Sequence, residues 1–252
     1  MVLALAVGTF AVSIFLAGYM GISKQLSVIK PHLASVKSQT DVSEKFIPIL
    51  FGARYVDIRK HLILHQITQA DTDFVLIIGD SIVEGLHMPS LDGAPVISAG
   101  IGGGGVLDVE ELVAKIPADR PIKKLVIAIG VNDTPHGNIP PNHYDRWRVA
   151  FEKTISRAKS LADNQVAVCT IIPVETGKPM GDLHFDPIKI GEINSIIRDI
   201  ARKTNTHLID HDSSFASLTS AGIEYTTDGV HLNDAGYRLM KGNISKASKE
   251  IS

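Results

Sequence analysis

From Phe74 onward, short β-branched runs alternate with amphipathic stretches, and this alternation restricts the chain to repeated strand-helix units around a parallel sheet. The runs are Phe74-Val-Leu-Ile-Ile78, Pro95-Val-Ile-Ser98, Leu125-Val-Ile-Ala-Ile129, Val166-Ala-Val-Cys-Thr-Ile-Ile172 and His207-Leu-Ile-Asp210, which predicts five buried strands. Between them Tyr144, Trp147, Phe151, Ile155 and Ala158 recur at three and four residues, as do Ile193, Ile196, Ile197 and Ile200, so both segments read as helices with a core-facing stripe. The last helix opens with Asn233 or Asp234 as its cap and runs Tyr237, Met240, Ile244 and Ala247 along one face. At 252 residues and 44% hydrophobic, the chain has room for one well-cored domain.

The first segment differs in kind. Val2 to Ile22 contains no charged residue, and about 20 apolar residues are what a helix needs to cross a bilayer core. The run is longer than the apolar part of a signal peptide and lacks its basic start, so residues 2–22 are expected to be an uncleaved transmembrane anchor. Residues 23–44 read as a polar linker and residues 45–252 as the folded domain, with Phe46 to Thr68 a helix packed on it. A net charge of -2 gives no cationic excess for tracking phosphates, so nucleic acid is not an expected partner. Cys169, the single cysteine, lies within an apolar run and reads as a core thiol.

In an open parallel sheet, function collects in the loops at the carboxyl ends of the strands. The first such loop, Gly79-Asp80-Ser81, puts a serine where a strand turns into a helix, so its hydroxyl stands beside free backbone amides that can stabilise an oxyanion. A serine N-cap is the plainer role for that position. The second, Ser98 to Gly105, is nearly bare of side chains, and its glycines let a substrate approach the backbone. Gly100, Gly102 and Gly105 also satisfy a dinucleotide-binding pattern, but the next strand ends in Gly130 with no acidic residue for a ribose. The third, Gly130-Val-Asn132-Asp133, offers a carboxamide donor. Near the C-terminus, Asp228 and His231 are three apart on a glycine-containing loop, a spacing that lets a carboxylate hold an imidazole. His207 and His211 are four apart, but a strand is predicted through them rather than the helix turn that would bring the two rings side by side, so no metal site is expected. His136, His143 and His184 read as solvated loop residues, Asp80 and Asp133 as turn braces, and Glu84 and Glu175 as ordinary surface.

Taken in order, Gly79-Asp-Ser81, the glycine loop around Gly103, Gly130-Val-Asn132-Asp133 and Asp228-Gly-Val-His231 resemble the four blocks of the SGNH (GDSL) hydrolase superfamily, over about residues 74 to 242. Ser98 and Gly104 depart from the pattern, standing where many members have asparagine and aspartate. The resemblance implies a flavodoxin-like α/β fold: three layers, α/β/α, around a five-stranded parallel sheet. It implies Ser81 as nucleophile, His231 as general base, Asp228 as its orienter, and Gly103 and Asn132 as oxyanion donors, with no cofactor. The connections between blocks are short and carry no Leu/Phe-rich insertion, which favours a short acyl ester, such as acetyl on a carbohydrate. Lysophospholipase, thioesterase and O-acetyltransferase activities occur in the same superfamily, and a non-catalytic glycan-binding module is the alternative of another class. An acylated glycan or lipid substrate favours an extracytoplasmic domain, although Lys24, Lys30 and Lys37 after the span favour the opposite orientation.

Overall fold

The strand Phe74–Gly79 (β1) is buried along its whole length because both of its faces are covered. Phe74, Leu76 and Ile78 enter one apolar cluster, while Val75 and Ile77, pointing the other way, enter a second. The structure is a computed structural model that describes residues 42–251. The predicted span at 2–22 and most of the predicted linker lie outside the described residues. Among those residues no helix is long and apolar enough to cross a membrane. The chain divides into two units, Met1–Gly52 and Ala53–Ser252, and the second carries the architecture that follows.

A helix α1 (Val42–Thr68) leads into β1, and Ile63 and Ile67 on it are fully buried. Then follow α2 (Ser81–Glu84), β2 (Ser90–Leu91), β3 (Ala94–Gly100), α3 (Val106–Lys115), β4 (Ile122–Ala128) and a 3-10 turn (Val131–Asp133). The second half contains α4 (His143–Leu161), β5 (Val166–Cys169), α5 (Pro179–His184), α6 (Pro187–Lys203), β6 (His207–Ile209), α7 (His211–Ser220) and α8 (Asp234–Ser248). The sheet order is β2-β3-β1-β4-β5-β6, with every pairing parallel except β2 with β3. One cluster packs α3, α4 and α6 on the sheet through residues such as Leu112, Phe151 and Ile197, and the other packs α2, α7 and α8 through Val83, Phe215 and Met240. This is the expected three-layer α/β/α arrangement. Its parallel strands have the flavodoxin-like order, whose crevice opens between β1 and β4.

The expectation of five strands is corrected to six. The added strand, β2, is the first arm of a hairpin whose turn is Asp92-Gly93, both at positive φ (50° and 78°), the pairing that a two-residue turn of this hand requires. The run Val166 to Ile172 is a strand only as far as Cys169. Beyond it the buried Asn194 of α6 takes over the backbone of Ile171, accepting from its N-H at 2.7 Å and donating to its carbonyl at 3.1 Å. His211 does not continue the strand of His207. Asp210 caps α7 by accepting from the amide of Ser213, which turns the chain and buries His211 against Phe215.

Candidate active site

The chain leaves β1 through Gly79, where a Cβ would lie 2.1 Å from the carbonyl oxygen of Ala128, so only glycine lets β1 and β4 stay this close. Asp80 then caps α2, its carboxylate accepting from the amide of Ile82 at 2.9 Å. Ser81 is therefore held at the first helical position. Its Oγ lies 3.0 Å from Nε2 of His231, and Nδ1 of His231 lies 2.7 Å from Oδ2 of Asp228. Oδ1 of Asp228 accepts from the amides of Val230 (3.0 Å) and His231 (2.8 Å). Burial works to raise the pKa of Asp228, but hydrogen bonds from the His231 ring and these amides outweigh it and hold the carboxyl below its ordinary range. An ionised carboxylate can only accept, so the proton of the neutral ring sits on Nδ1 and Nε2 is left to accept from Ser81.

The loop bearing Asp228 and His231 is braced from beneath. Glu175 accepts from the amides of Tyr225 (3.1 Å) and Thr226 (2.9 Å), from the Thr226 hydroxyl and from Lys178. Gly229, at φ 104°, packs so closely on the next segment that a Cβ would lie 2.6 Å from the nitrogen of Gly181. Glu175 is thus a structural brace and not the ordinary surface residue it resembles in sequence.

In the glycine loop three amides are already committed. Gly102 donates to Oε2 of Glu84 at 2.7 Å, Gly104 to the carbonyl of Ile101 at 2.9 Å and Gly105 to Asp108 at 3.1 Å. Gly103 sits at φ 70°, exposed, and its amide has no acceptor among the described residues. Of the two adjacent glycines, Gly102 thus has its amide committed to Glu84 and Gly103 does not. Asn132 Nδ2 donates to the carbonyl of Gly104 at 2.9 Å, which fixes the carboxamide and leaves its second N-H available. Asp133 is separate from this group. Its carboxylate accepts from the amide of Val106 at 3.1 Å, at the start of α3, and burial pushes its pKa up to about 6. His143, expected in solvent, has Nε2 2.7 Å from the Asp133 carbonyl oxygen.

Glu84, read from the sequence as ordinary surface, is instead a bonded part of this rim. Besides Gly102 it takes the hydroxyl of Tyr55 and lies 3.5 Å from Arg59, both on α1. Arg59 in turn donates to the carbonyls of Gly100 (2.8 Å) and Ser98 (3.3 Å). Ser98 itself donates to the carbonyl of Val83 at 2.6 Å, so the serine that departs from the family pattern ties β3 to α2. Behind Ser81 a small cavity is lined by Asp80, Thr170 and His211. Burial pushes Asp80 up to about 7 and His211 down to about 4.

A parallel α/β sheet with a serine, a histidine and an aspartate joined across its carboxyl rim defines a class of hydrolytic enzyme. The model of the GDSL-like Lipase/Acylhydrolase family matches residues 77–239, and the chain belongs to that family, within the SGNH hydrolases. Solved structures share its fold. A Streptococcus pneumonia protein described as a platelet activating factor is 22% identical, with 82% of this chain and 99% of that one covered and a TM-score of 0.69. A lipase/acylhydrolase from Enterococcus faecalis is 20% identical over 71% and 97% of the two chains, with a TM-score of 0.58. The acetyl xylan esterase AlAXEase is 24% identical over 70% and 99%, with a TM-score of 0.56. No curated protein matches this chain.

Proposed function

We propose that this hydrolase cleaves short-chain acyl esters, acetyl on a carbohydrate foremost, through an acyl-enzyme on Ser81. The observation that carries the reading is the unbroken hydrogen-bonded chain from Ser81 Oγ through His231 to Asp228, at 3.0 and 2.7 Å. Ser81 Oγ attacks the ester carbonyl as His231 Nε2 takes its proton, and the imidazolium so formed is held by Asp228. The tetrahedral oxyanion is met by the amides of Ser81 and Gly103 and by the free N-H of Asn132. His231 returns its proton to the leaving alcohol, then activates water to release the acid. The short connections between the rim loops support a short acyl group, and the same fold carries an acetyl xylan esterase. Residues 2–22 complete the reading as an anchor that tethers an extracytoplasmic domain.

Labelling with a fluorophosphonate probe, followed by a panel of esters of increasing acyl length, tests this. Labelling at Ser81 with kcat/KM falling from acetyl to octanoyl is expected. Rising kcat/KM along the panel overturns the short-acyl assignment, and absence of labelling returns the chain to a glycan-binding role.

A further inference from the structure

We infer that His211 holds one water molecule in the small cavity behind Ser81, and that this water fixes the carboxylate of Asp80, the cap that places the nucleophile; its effect on rate rests on the esterase reading above. The chemistry starts from Asn243 on α8, whose Nδ2 lies 3.1 Å from His211 Nδ1. A carboxamide nitrogen can only donate, so Nδ1 accepts. Burial pushes the pKa of His211 down to about 4, and the neutral ring carries a single proton, which is therefore on Nε2. His211 is 1% exposed, and its Nε2 has no hydrogen-bond partner among the described residues. Buried donors in folded proteins are nearly always bonded to protein or to ordered water.

The cavity is shaped for that partner. His211 lines it and Asn243 does not, so with Nδ1 turned to Asn243 the Nε2 edge is the one that faces inward. The space open to the centre of a water molecule is about 20 Å³, and one water needs roughly 10–15 Å³. Only Asp80, Thr170 and His211 bring polar side chains to the lining. Thr170 has its hydroxyl committed, donating to Asp210 at 3.1 Å and accepting from the amide of Asp212 at 2.9 Å. Asp80 is buried, with Oδ1 taken by the amide of Ile82 at 2.9 Å, while Oδ2 has no donor among the other described residues. An unmet donor and an unmet acceptor thus share a water-sized space without bonding each other. One water joins them, accepting from Nε2–H and meeting Oδ2, and because water both donates and accepts, the bridge serves Asp80 ionised or protonated. Held at both oxygens, the carboxyl group cannot turn away from Ile82. That keeps Ser81 at the first position of α2, with its Oγ 3.0 Å from His231. His211 is in this sense a positioning residue, acting on the serine through Asp80.

Two variants of the full chain separate this role from packing. His211→Phe keeps an aromatic ring against Phe215 and loses the donor, whereas His211→Gln keeps an N–H near the place of Nε2 and loses the ring. On a small soluble acetyl ester, His211→Phe is expected to lower kcat by about five- to tenfold with KM unchanged, and to speed hydrogen exchange of the Ile82 amide by a similar factor. His211→Gln should recover both, although it melts lower than His211→Phe. Losses that follow the order of the melting temperatures give His211 a packing role and overturn the proposal. Nuclear magnetic resonance of the chain labelled with ¹⁵N-histidine reads the site itself. The Nε2–H tautomer of His211, with a nuclear Overhauser contact to a retained water, is expected; the Nδ1–H tautomer or no water contact overturns the site. Neither this spectrum nor the Ile82 exchange needs turnover. Both as expected, in a chain that hydrolyses none of the esters, uphold the water and its hold on Asp80 and overturn the esterase reading alone.

Discussion

Glu84 accepts the amide hydrogen of Gly102 at 2.7 Å, a bond from the end of α2 to the loop that carries Gly103. The end of β3 and the end of α2 leave no slack between them, since a Cβ on Gly100 would fall 1.9 Å from the amide nitrogen of Glu84. By occupying Gly102 the carboxylate sets which way the next peptide faces, and so where the Gly103 N-H points.

Glu84→Ala is therefore expected to lower kcat by roughly ten- to 100-fold with a smaller change in KM, because misplacing one donor weakens an interaction made in the transition state. Glu84→Gln keeps an oxygen for Gly102 and loses the charge beside Arg59, so it should recover most of the activity. Equal losses in both variants would assign the effect to the ion pair and not to loop placement.

Ser81→Ala and His231→Ala should each abolish most esterase activity while leaving the fold intact. Residues that act as a unit give non-additive losses, so the double variant should be no worse than either single one. More than a tenth of wild-type turnover in Ser81→Ala would falsify the nucleophile assignment.

Asn132 and Asp133 are adjacent in sequence and serve different ends. Asn132→Ala should lower kcat by roughly 100-fold or more, with KM less affected, as expected for a donor to a developing oxyanion. Asp133→Ala should instead lower the melting temperature, since it leaves the buried amide of Val106 at the start of α3 without its acceptor. Similar small kcat losses in both, with circular dichroism unchanged, would return Asn132 to a turn-forming role.

What was legible in the sequence is what depends on local period and composition. The five parallel strands and the stripes of α4, α6 and α8 are patterns of apolar residues within a dozen positions of one another. Asn233 is the cap of α8. The hairpin of β2 left a signal in Asp92-Gly93 that reading for longer apolar runs passes over. The short end of β5 left none, because the competitor for its backbone is Asn194, 23 positions from Ile171. The same holds at the site. Ser81, Asp228 and His231 stand out as motif residues at strand ends, whereas Glu84 and Glu175 are defined by partners 18 and 51 positions away, Gly102 and Thr226, which no local pattern announces.

Asp80 gives the last prediction, in which stability and not rate is read. It is buried beside the candidate nucleophile, and burial, with the nearby Asp133 carboxylate adding to it, pushes its pKa up to about 7 against the opposing hydrogen bond from Ile82. The unfolded chain titrates this carboxyl near an ordinary aspartate value of about 3.9. Because the folded value is the higher one, the native state binds the proton more tightly. The stabilisation this gives is fully present below about pH 3.9 and is lost as pH rises through about 7, by up to roughly 4 kcal/mol. Asp80→Asn keeps an oxygen to cap Ile82 and removes the titration. Its melting temperature relative to wild type should therefore climb between pH 4 and pH 8, measured by differential scanning calorimetry in overlapping buffers. Asp133, raised to about 6, titrates in the same window, so Asp133→Asn is measured in parallel to separate the two. A difference between Asp80→Asn and wild type that stays constant across the range would mean that Asp80 is ionised throughout, held so by Ile82 and water, and that its burial does not govern its charge.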